Sequence, residues 1–543
     1  RRGDLIKVTF LVRNQEEYDM ILELDDISKI RIDQDLTADF QSMNSPSAEE
    51  GSYEKNKNDY PTVTGFNCYR NLEGSYQFME DLATDFPDLV TQIDIGDSYL
   101  KTVGKGGYDM YALKITKNTD SIPSEEKSKF VANFGLHARE MAPPELGMRF
   151  AETLVNGYGV DAGITSILDR TEIHLILQAN PDGRFLAETD QSAFQRKNLR
   201  EDPSQECSVG LVGVDLNRNF PFMWGLTGRS SNYPCSQVYR GQSPASEPEV
   251  QAIVNYVSPL FPESQKKEDP EGDALVPFPE NSTGIFLDTH SYGELIIWPY
   301  GYDYNEQSGN EVALQSWARK ISSFNNHALA GPGTAAFLSP SSGTADDWGY
   351  GILGGASGTL EVGTAFYQNC AYFESSIAPN NLPMYLYLAN IARAPFILSQ
   401  GPDVMEVTID GSSESIVSVS QGSTITVSAT MSDCEMSSGS YSSSLQSVKS
   451  ATVYIDEHPD DQGSTGFDMI LPTIFLGFID FPWLSCSARF IFGILARDRI
   501  RVTGTVAIDT SDLAIGRHVL HIQGEDYKSY KGPVAARFFE VTA

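Results

Sequence analysis

The sequence predicts an α/β fold built on a mixed, mostly parallel twisted sheet with helices on both faces. Between Tyr60 and about Gln400, apolar runs of strand length alternate with segments whose apolar residues recur at helical spacing. This alternation is typical of α/β sheets. From residue 401 onwards Ser, Thr and Val become frequent and alternate, as in STITVSATMS (423–432). The second pattern predicts a β-sandwich-like C-terminal domain over residues 401–543.

Six strands and five helices are predicted in the first of these regions. The strands are LVTQIDIG (89–96), YDMYALKIT (108–116), FVANFGL (130–136), EIHLILQAN (172–180), TGIFLDTH (283–290) and GTLEVGT (358–364). The helices are LEGSYQFMEDLATDF (72–86), PPELGMRFAETLVNGYG (143–159), SEPEVQAIVNYV (246–257), VALQSWARKISSFNNHAL (312–329) and PMYLYLANIARAPF (383–396). The apolar run FVANFGL is expected to be a strand buried on both faces. Pro143 and Pro144 fit the first turn of the next helix, where a missing N–H is tolerated.

The first 59 residues are predicted to lie apart from this sheet. Residues 4–36 contain a strand, helix and strand pattern, so residues 1–40 are predicted to form a short α+β segment. Residues 41–59 are polar and contain almost no apolar side chain, which is typical of a linker. The predicted organisation is therefore 1–40, a linker over 41–59, a main domain over 60–400 and the C-terminal domain.

The net charge and the cysteine content of the sequence indicate where the protein is located and which classes of partner are excluded. The chain has 73 acidic and 39 basic residues among 543, a net charge of −34, which argues against a nucleic-acid partner because phosphate binding needs a basic face. Six cysteines favour an oxidising, secreted location. Three disulfides are candidates. Cys207 and Cys235 flank one polar loop, Cys68 and Cys370 could close the main domain, and the remaining pair lies in the C-terminal part. Six reduced, buried thiols are the alternative. We expect a monomer.

Residues 469–496 are far more apolar than their neighbours. A membrane helix is one interpretation, but Asp480, Arg489 and two prolines count against it. Buried strands of the C-terminal domain and an error in the sequence, such as a retained non-coding stretch, are the two favoured interpretations. Association with a membrane is therefore not expected.

Three side chains at predicted strand ends form a candidate metal site. His137 and Glu140 follow the strand FVANFGL directly, and His290 ends the strand TGIFLDTH. The carboxyl ends of parallel strands meet at one edge of an α/β sheet, where ligands bind. Two histidines and one glutamate would leave one position of a tetrahedral zinc ion open, which marks a catalytic rather than a structural site.

The motifs around these residues resemble the zinc metallocarboxypeptidases of the pancreatic A and B type (peptidase family M14). The resemblance covers about residues 60–400, and its motifs occur in order. They are HARE (137–140), NPDG (180–183), RKN (196–198), GVDLNRNF (213–220), PCS (234–236), YRG (239–241), HSY (290–292), GTADDW (343–348) and TLE (359–361). The resemblance implies a carboxypeptidase-like fold and one zinc ion per chain, held by His137, Glu140 and His290.

The resemblance also implies roles for residues outside the metal site. Glu361 matches the catalytic glutamate that moves a proton, and Arg196 matches the arginine that stabilises the oxyanion. Asn217 and Arg218 match the pair that binds the free C-terminal carboxylate of a substrate, since a planar guanidinium can form two parallel hydrogen bonds with it. This contact implies an exopeptidase that acts on peptide or protein C-termini. Arg139 and Tyr292 fall on positions that line the substrate groove.

Two positions differ from the pattern of the family and affect the expected specificity and rate. Asp346 occupies the position of the pocket aspartate of the B type, which predicts a preference for basic or mixed C-terminal residues. Alternatively, Asp346 and its neighbour Asp347 cap the start of the following helix. The mobile tyrosine of the family is replaced by Ser339, which puts tight substrate binding in doubt; Tyr350 or a shifted alignment could compensate.

Three further expectations complete the sequence-based prediction. Residues 262–282 form an acidic, Pro-rich insertion before the His290 strand, and surface loops absorb such insertions at small cost. Residues 4–40 weakly resemble the end of an inhibitory propeptide, which would make the chain a zymogen that is cut in the linker. The alternatives to a carboxypeptidase are a catalytically weak or inactive binding protein on the same fold and a related hydrolase of cell-wall peptides or amino-acid tails.

Overall fold

The computed structural model describes residues 60–543 except for 118–121, 190–193, 203–204, 228, 304, 333–339, 434–446 and 472–500. The predicted N-terminal segment (1–40) and linker (41–59) lie outside the described residues. So do Ser339, the remaining cysteine pair Cys434 and Cys486, and most of the apolar segment 469–496. In the parts of the chain that are described, no helix is long and apolar enough to cross a membrane.

An eight-stranded mixed sheet forms the centre of residues 60–400. Its strands are β3 (Val90–Asp97), β4 (Asp109–Ile115), β5 (Ser128–Phe134), β6 (Thr171–Ile176), β7 (Ile285–His290), β8 (Leu295–Ile297), β9 (Ala328–Ala330) and β10 (Ala356–Glu361). The strand order is β3-β4-β6-β5-β7-β10-β8-β9. A hairpin of β1 (Thr62–Val63) and β2 (Phe66–Arg70) precedes the sheet.

The middle of the sheet is parallel and its outer parts contain antiparallel pairs. β5 pairs in parallel with β6 and β7, and β7 pairs in parallel with β10. β3–β4, β4–β6 and β8–β10 are antiparallel, whereas β8–β9 is parallel. Every residue of β5, β6 and β7 is buried, as expected where helices cover both faces of a parallel sheet. The predicted mixed, mostly parallel sheet is confirmed.

Helices connect and cover the strands of this sheet. They are α1 (Leu72–Asp85), α2 (Tyr99–Thr102), α3 (Ala142–Gly157), α4 (Ala162–Arg170), α5 (Pro181–Ala187), α6 (Pro248–Val257), α7 (Glu311–Asn325), α8 (Ala345–Leu353), α9 (Cys370–Tyr372), α10 (Ala378–Ile391) and α11 (Pro395–Leu398). A π-helical turn, Phe373–Ile377, joins α9 to α10.

Aromatic contacts show that helices cover both faces of the sheet. Tyr385 of α10 packs against Phe130 of β5 at a ring separation of 6.3 Å, while Trp348 of α8 packs edge-on against Phe286 of β7 at 5.4 Å. In the parallel ladder Phe286 is the partner of Val131. Successive side chains of a strand point to opposite faces, so Phe130 and Phe286 lie on opposite faces. The helices α10 and α8 therefore cover opposite faces.

Two predicted helices have wrong bounds, and several short elements were not predicted. The helix predicted over 312–329 ends at Asn325, because Asn326 adopts a left-handed conformation (φ 57°) and the chain continues into β9. The helix predicted over 383–396 is α10, which begins at Ala378 and ends at Ile391. β8, β9 and the short helices have too few residues to show a periodic pattern.

The predicted insertion at 262–282 is partly built into the molecule. Its Phe278 and Ala274 are buried, and Tyr300 donates a hydrogen bond of 2.9 Å from its hydroxyl to the carbonyl of Ala274. The amide nitrogen of Gln265 donates to the carbonyls of Thr283 and Leu353, at 2.9 Å each. The insertion therefore packs against α8 and the segment after β8.

The C-terminal part forms two sheets that share one apolar core. One sheet has the order β11-β13-β16 and the other β12-β18-β17-β14-β15. Their bounds are β11 (Asp403–Ile409), β12 (Ile416–Ser420), β13 (Thr424–Ser432), β14 (Val448–Ile455), β15 (Phe467–Asp468), β16 (Arg501–Asp509), β17 (Gly516–Asp526) and β18 (Ala535–Thr542). Val427 of the first sheet and Val453 and Ile522 of the second belong to the same buried cluster, which is the packing of a β-sandwich.

Polar contacts attach this sandwich to the main sheet region. Arg170, the last residue of α4, donates to both carboxylate oxygens of Asp461 at 2.7 and 2.9 Å. Lys320 of α7 donates to the carboxylate of Asp403 at 2.6 Å. On the sandwich side, Arg517 donates to the carbonyl of Gly159 at 2.8 Å.

Two disulfides that the sequence suggested are present. Cys68 and Cys370 are bonded across 302 positions, and Cys207 and Cys235 are bonded across 28. All cysteines among the described residues are paired. The pairs link the β2 hairpin to α9 and close the polar loop that follows Arg200.

Substitution of Gly147 by alanine is expected to destabilise the contact of α3 with β5. A Cβ atom there would lie 2.7 Å from Leu177 and 2.8 Å from Phe134, and such overpacking costs about 1–3 kcal/mol. Gly163→Ala in α4 is the matched control, because its Cβ would meet only Asp161 at 3.1 Å and alanine favours a helix. Thermal unfolding should show a larger loss of Tm for Gly147→Ala than for Gly163→Ala; equal Tm values would contradict the packing.

Candidate metal centre and substrate site

The ends of three neighbouring strands bring the predicted site residues together. His290 is the last residue of β7 and Glu361 the last residue of β10, and the two are direct partners in the parallel ladder. β5 lies on the other side of β7 and ends at Phe134, three positions before His137. This edge is the carboxyl edge of the sheet, where α/β folds bind ligands.

A tight turn after β5 places two of the ligands side by side. Gly135 has a left-handed φ of 71°, and a Cβ atom there would come within 3.2 Å of Pro144. The chain then reverses, with the N–H of Glu140 donating to the carbonyl of His137 at 3.2 Å. This turn explains how a histidine and a glutamate three positions apart face the same point.

The three predicted ligands form a compact, buried cluster. One ligand atom from each of His137, Glu140 and His290 lies within 4.8 Å of the others. Nδ1 of His137 is 2.8 Å from one carboxylate oxygen of Glu140, and Nδ1 of His290 is 3.0 Å from the other. The two Nδ1 atoms are 2.9 Å apart. In the described parts of the chain, this is the one group of three or more metal-binding side chains.

The donor set fits a zinc ion. Both imidazoles turn Nδ1 towards the common point, and a ring nitrogen without hydrogen is a good zinc donor. Burial lowers the pKa of His137, which favours its neutral, metal-binding form. Burial would raise the pKa of Glu140, but the two neighbouring histidines outweigh this and hold it well below its usual range, so the carboxylate is ionised. Two histidines and one glutamate correspond to a catalytic zinc site with an open position.

Asp215 links the metal cluster to the arginine at position 196. One of its carboxylate oxygens is 3.2 Å from Nε2 of His137, and the other accepts hydrogen bonds from Nε and Nη2 of Arg196 at 3.1 and 3.0 Å. Asp215 is fully buried, so these contacts compensate the cost of burying its charge. One carboxylate thus positions a metal ligand and a cation beside it.

Glu361 lies at the same edge with an unsatisfied carboxylate oxygen. Its Oε2 atom is buried and has no hydrogen-bond partner among the described residues. Burial raises the pKa of Glu361 to about 7, and the charges of His290 and Glu140 act on it as well. A carboxyl group whose pKa lies near neutrality can both accept and release a proton.

A short turn carries the predicted carboxylate-binding pair. Asn217 and Arg218 lie in the 3-10 turn Leu216–Arg218, directly after Asp215, which caps the turn by accepting from the N–H of Asn217 at 3.1 Å. The amide oxygen of Asn217 accepts from the N–H of Ala345 at 2.9 Å. Nε of Arg218 donates to the carbonyl of Arg229 at 2.8 Å. Both side chains are therefore held by backbone groups next to the metal cluster.

Arg139 and Tyr292 meet through a phenylalanine that was not predicted to matter. The guanidinium of Arg139 lies 4.1 Å from the ring centre of Phe366, and the ring of Tyr292 packs edge-on against Phe366 at 4.8 Å. Burial and the nearby charge of Arg196 lower the pKa of Arg139 to about 10. This contact places both predicted groove residues on one wall beside Glu140.

Asp346 and Asp347 lie in the first turn of α8 and are buried. The carboxylate of Asp347 accepts from the N–H groups of Gly301 and Tyr302 at 2.8 and 3.1 Å, so it fixes the segment after β8. Burial raises the pKa of Asp346, and the neighbouring Asp288 charge adds to this. Asp346 therefore lies near Asp288 of β7.

Three contributing residues were missed by the sequence-based prediction. Asp215 and Phe366 were not assigned a role, and Asp288 was treated only as part of a strand. A charged residue inside the otherwise apolar run IFLDTH was the available signal for Asp288, since a carboxylate is costly to bury without partners. No comparable signal exists for Phe366.

Comparison with known proteins agrees with this geometry. The zinc carboxypeptidase family model matches residues 75–382. The chain is 30% identical to carboxypeptidase A4 of Mus musculus over 330 residues, which cover 60% of this chain and 70% of the relative. It is 33% identical to carboxypeptidase A1 of Sus scrofa over 243 residues, covering 44% and 49%.

A solved structure shows the same fold. The crystal structure of thrombin activatable fibrinolysis inhibitor (TAFI) has a TM-score of 0.50 and 24% identity, and the match covers 60% of this chain and 74% of that chain. The chain belongs to the zinc carboxypeptidase family, and its metal centre is the His-Glu-His zinc site of a metallocarboxypeptidase.

Zinc is expected to stabilise the folded chain through this cluster. A ligand that binds only the folded state adds about 4 kcal/mol of stability at a thousandfold excess over its Kd. Metal analysis should find about one zinc per chain, and added zinc should raise the Tm of the metal-depleted protein. His290→Ala should lose this response, whereas His327→Ala, a buried histidine outside the cluster, should keep it. A zinc response that persists in His290→Ala would contradict the assignment.

Proposed function

We propose that the chain is a zinc-dependent exopeptidase that hydrolyses the C-terminal peptide bond of peptides and proteins. The observation that carries the proposal is the buried cluster of His137, Glu140 and His290 with Glu361 paired in register beside it. The bound zinc supplies Lewis-acid polarisation of a carbonyl group and acidification of a water molecule. Side chains of the protein carry out proton transfer, charge stabilisation and substrate binding.

Glu361 is the group that moves the proton. Glu361 lies half-buried at the end of β10 with its Oε2 atom shielded from solvent, and burial raises the pKa of its carboxyl group in the direction that suits proton exchange near neutral pH. It accepts the proton of the attacking water and later delivers it to the nitrogen of the leaving residue. The unpartnered Oε2 atom is the oxygen available for this transfer.

Arg196 stabilises the negative charge that develops on the carbonyl oxygen. Its Nε and Nη2 atoms are held by Asp215, and we assign Nη1 to the substrate. A cation fixed in advance costs little reorganisation when charge appears, and electrostatic stabilisation of this kind is often the main contribution to the rate enhancement of an enzyme.

Asn217 and Arg218 restrict the reaction to chain ends. A free C-terminal carboxylate can pair with a guanidinium and an amide, whereas an internal peptide bond presents no such charge. Arg139 and Tyr292 form the adjoining wall of the groove through their shared contact with Phe366.

Asp346 directs the preference towards basic or mixed C-terminal residues. Its carboxylate is buried at the start of α8, and its negative charge would attract the side chain of a C-terminal Lys or Arg. Burial raises the pKa of Asp346, and a bound cation would restore its ionised form.

The disulfides support a proposal for where the protein functions. Two disulfides fit an extracellular, oxidising location, and we propose a secreted monomer. We also propose that residues 60–400 are the catalytic domain, that residues 401–543 form a separate β-sandwich-like domain, and that residues 1–40 are an inhibitory segment released by cleavage within 41–59.

Glu361→Gln is expected to lose turnover and keep zinc. The amide has nearly the same size but cannot take up a proton, and general acid–base groups contribute about 10²–10⁴-fold to rate. Release of C-terminal residues from a short peptide should fall by at least this factor, while zinc content stays at the wild-type level. Full activity in Glu361→Gln would show that the proton carrier is another group. An inactive wild type with full zinc content would instead support the binding-protein alternative.

Asp346→Ile is expected to shift the preference from Lys and Arg towards apolar C-terminal residues. Loss of one partner of a buried charge pair costs about 2 kcal/mol or more, roughly 30-fold in kcat/KM. Asp347→Asn is the matched control, since its carboxylate holds Gly301 and Tyr302 and its replacement should lower stability more than selectivity. Competition between peptides ending in Arg and Leu provides the measurement, and an unchanged ratio in Asp346→Ile would exclude the pocket role.

A further inference from the structure

We infer that Asp288 is a positioning residue for the zinc ligand His290, matching the action of Asp215 on His137. The inference rests on the proposed function, because it concerns the same metal centre. It assigns a role to a carboxylate inside a buried strand, where a charge without partners would be costly.

The distances identify which nitrogen of His290 faces the metal. Nε2 of His290 lies 2.6 Å from Oδ2 of Asp288, while Nδ1 faces Glu140 at 3.0 Å. Nδ1 shares its point with the other two ligands, whereas Asp288 is outside that group, so in the metal-binding tautomer Nε2 carries the ring hydrogen and donates it to Asp288. Nδ1 is then left with a free lone pair directed at the common point of the ligands.

The sheet holds the carboxylate of Asp288 in this orientation. Asp288 and His290 are two positions apart on β7, so their side chains lie on the same face. Asn133 of β5 is the direct ladder partner of Asp288, and its amide nitrogen donates to Oδ1 of Asp288 at 2.8 Å. Both oxygens of Asp288 are thus engaged, one by a neighbouring strand and one by the metal ligand, and the ring cannot rotate without breaking a buried hydrogen bond.

The arrangement repeats on the other ligand. Nε2 of His137 faces Asp215 at 3.2 Å, and its Nδ1 faces Glu140 at 2.8 Å. Each imidazole therefore has one nitrogen at the metal point and the other against a carboxylate. Such partners fix the tautomer and raise the basicity of the ligand, and their removal costs about 10–100-fold in metal affinity or activity.

The contact also affects Asn217. Its amide nitrogen lies 3.2 Å from the same Nε2 atom of His290. Since Nε2 already bears a hydrogen that points to Asp288, it cannot accept one from Asn217. The amide hydrogens of Asn217 therefore remain available to the substrate carboxylate.

Zinc affinity separates this role from a role in the substrate pocket. Asp288→Ala removes both the charge and the acceptor, and its zinc Kd, measured by competition with a chelator, should rise about 10–100-fold. Asp288→Asn keeps an acceptor oxygen and should recover part of the loss. Cobalt-substituted protein should show a changed ligand-field spectrum in Asp288→Ala and a spectrum closer to wild type in Asp288→Asn.

Asp182→Asn is the matched control for removal of a buried carboxylate. Asp182 accepts from Ser98 and from the N–H of Leu100, at 2.8 and 2.7 Å, and neither group belongs to the metal site. This variant should lose stability and keep the wild-type zinc Kd. If Asp288→Ala does not fold, Asp288→Asn decides the question by its zinc Kd and cobalt spectrum.

The outcomes distinguish the inference from the proposed function. A wild type that binds zinc and releases C-terminal residues, together with Asp288 variants of unchanged zinc Kd, would overturn the inference alone. A changed preference for Lys and Arg with unchanged zinc affinity would also overturn it, because Asp288 would then act in the pocket with Asp346. A wild type that binds no zinc would remove the proposed function itself.

Discussion

The register of three parallel strands is the constraint on which the site depends. β5, β7 and β10 are hydrogen-bonded neighbours that end at one edge. A shift of β10 by one residue would move Glu361 away from His290 and turn its side chain to the opposite face. Helices on both faces bury this part of the sheet. The packing of the apolar strand residues therefore fixes the register, and the register determines where the few polar side chains lie.

The site also depends on the carboxylates that are buried at this edge of the sheet. Glu140, Asp215 and Asp288 are all buried at the sheet edge, where the local dielectric is low and an isolated carboxylate is unfavourable. Arg196 compensates part of this charge, and a divalent cation would compensate more. Burial of these carboxylates destabilises the folded state in the absence of metal, and the same carboxylates favour the binding of zinc. Folding and metal binding are therefore linked.

The parts of the structure that follow from local pattern were predictable from the sequence. The buried strands and longer helices were recognised because burial imposes long apolar runs or helical spacing, and the ligands were recognised because ordered motifs surround them. β8 and β9 are three residues each, too short for any period. Asp288 and Asn133 are 155 positions apart, and only the ladder between β5 and β7 reveals that they meet, so the contact that orients the carboxylate of Asp288 required the structure.

The bond between Cys68 and Cys370 has a topological consequence. Every residue assigned to metal binding, proton movement or substrate recognition falls within the covalent ring that it closes. A single backbone break at an exposed loop inside this ring would leave both fragments tethered, and their shared core could keep the strands aligned. A chain nicked inside this ring therefore remains one covalent unit, and it separates into two bands on electrophoresis only after the disulfide is reduced.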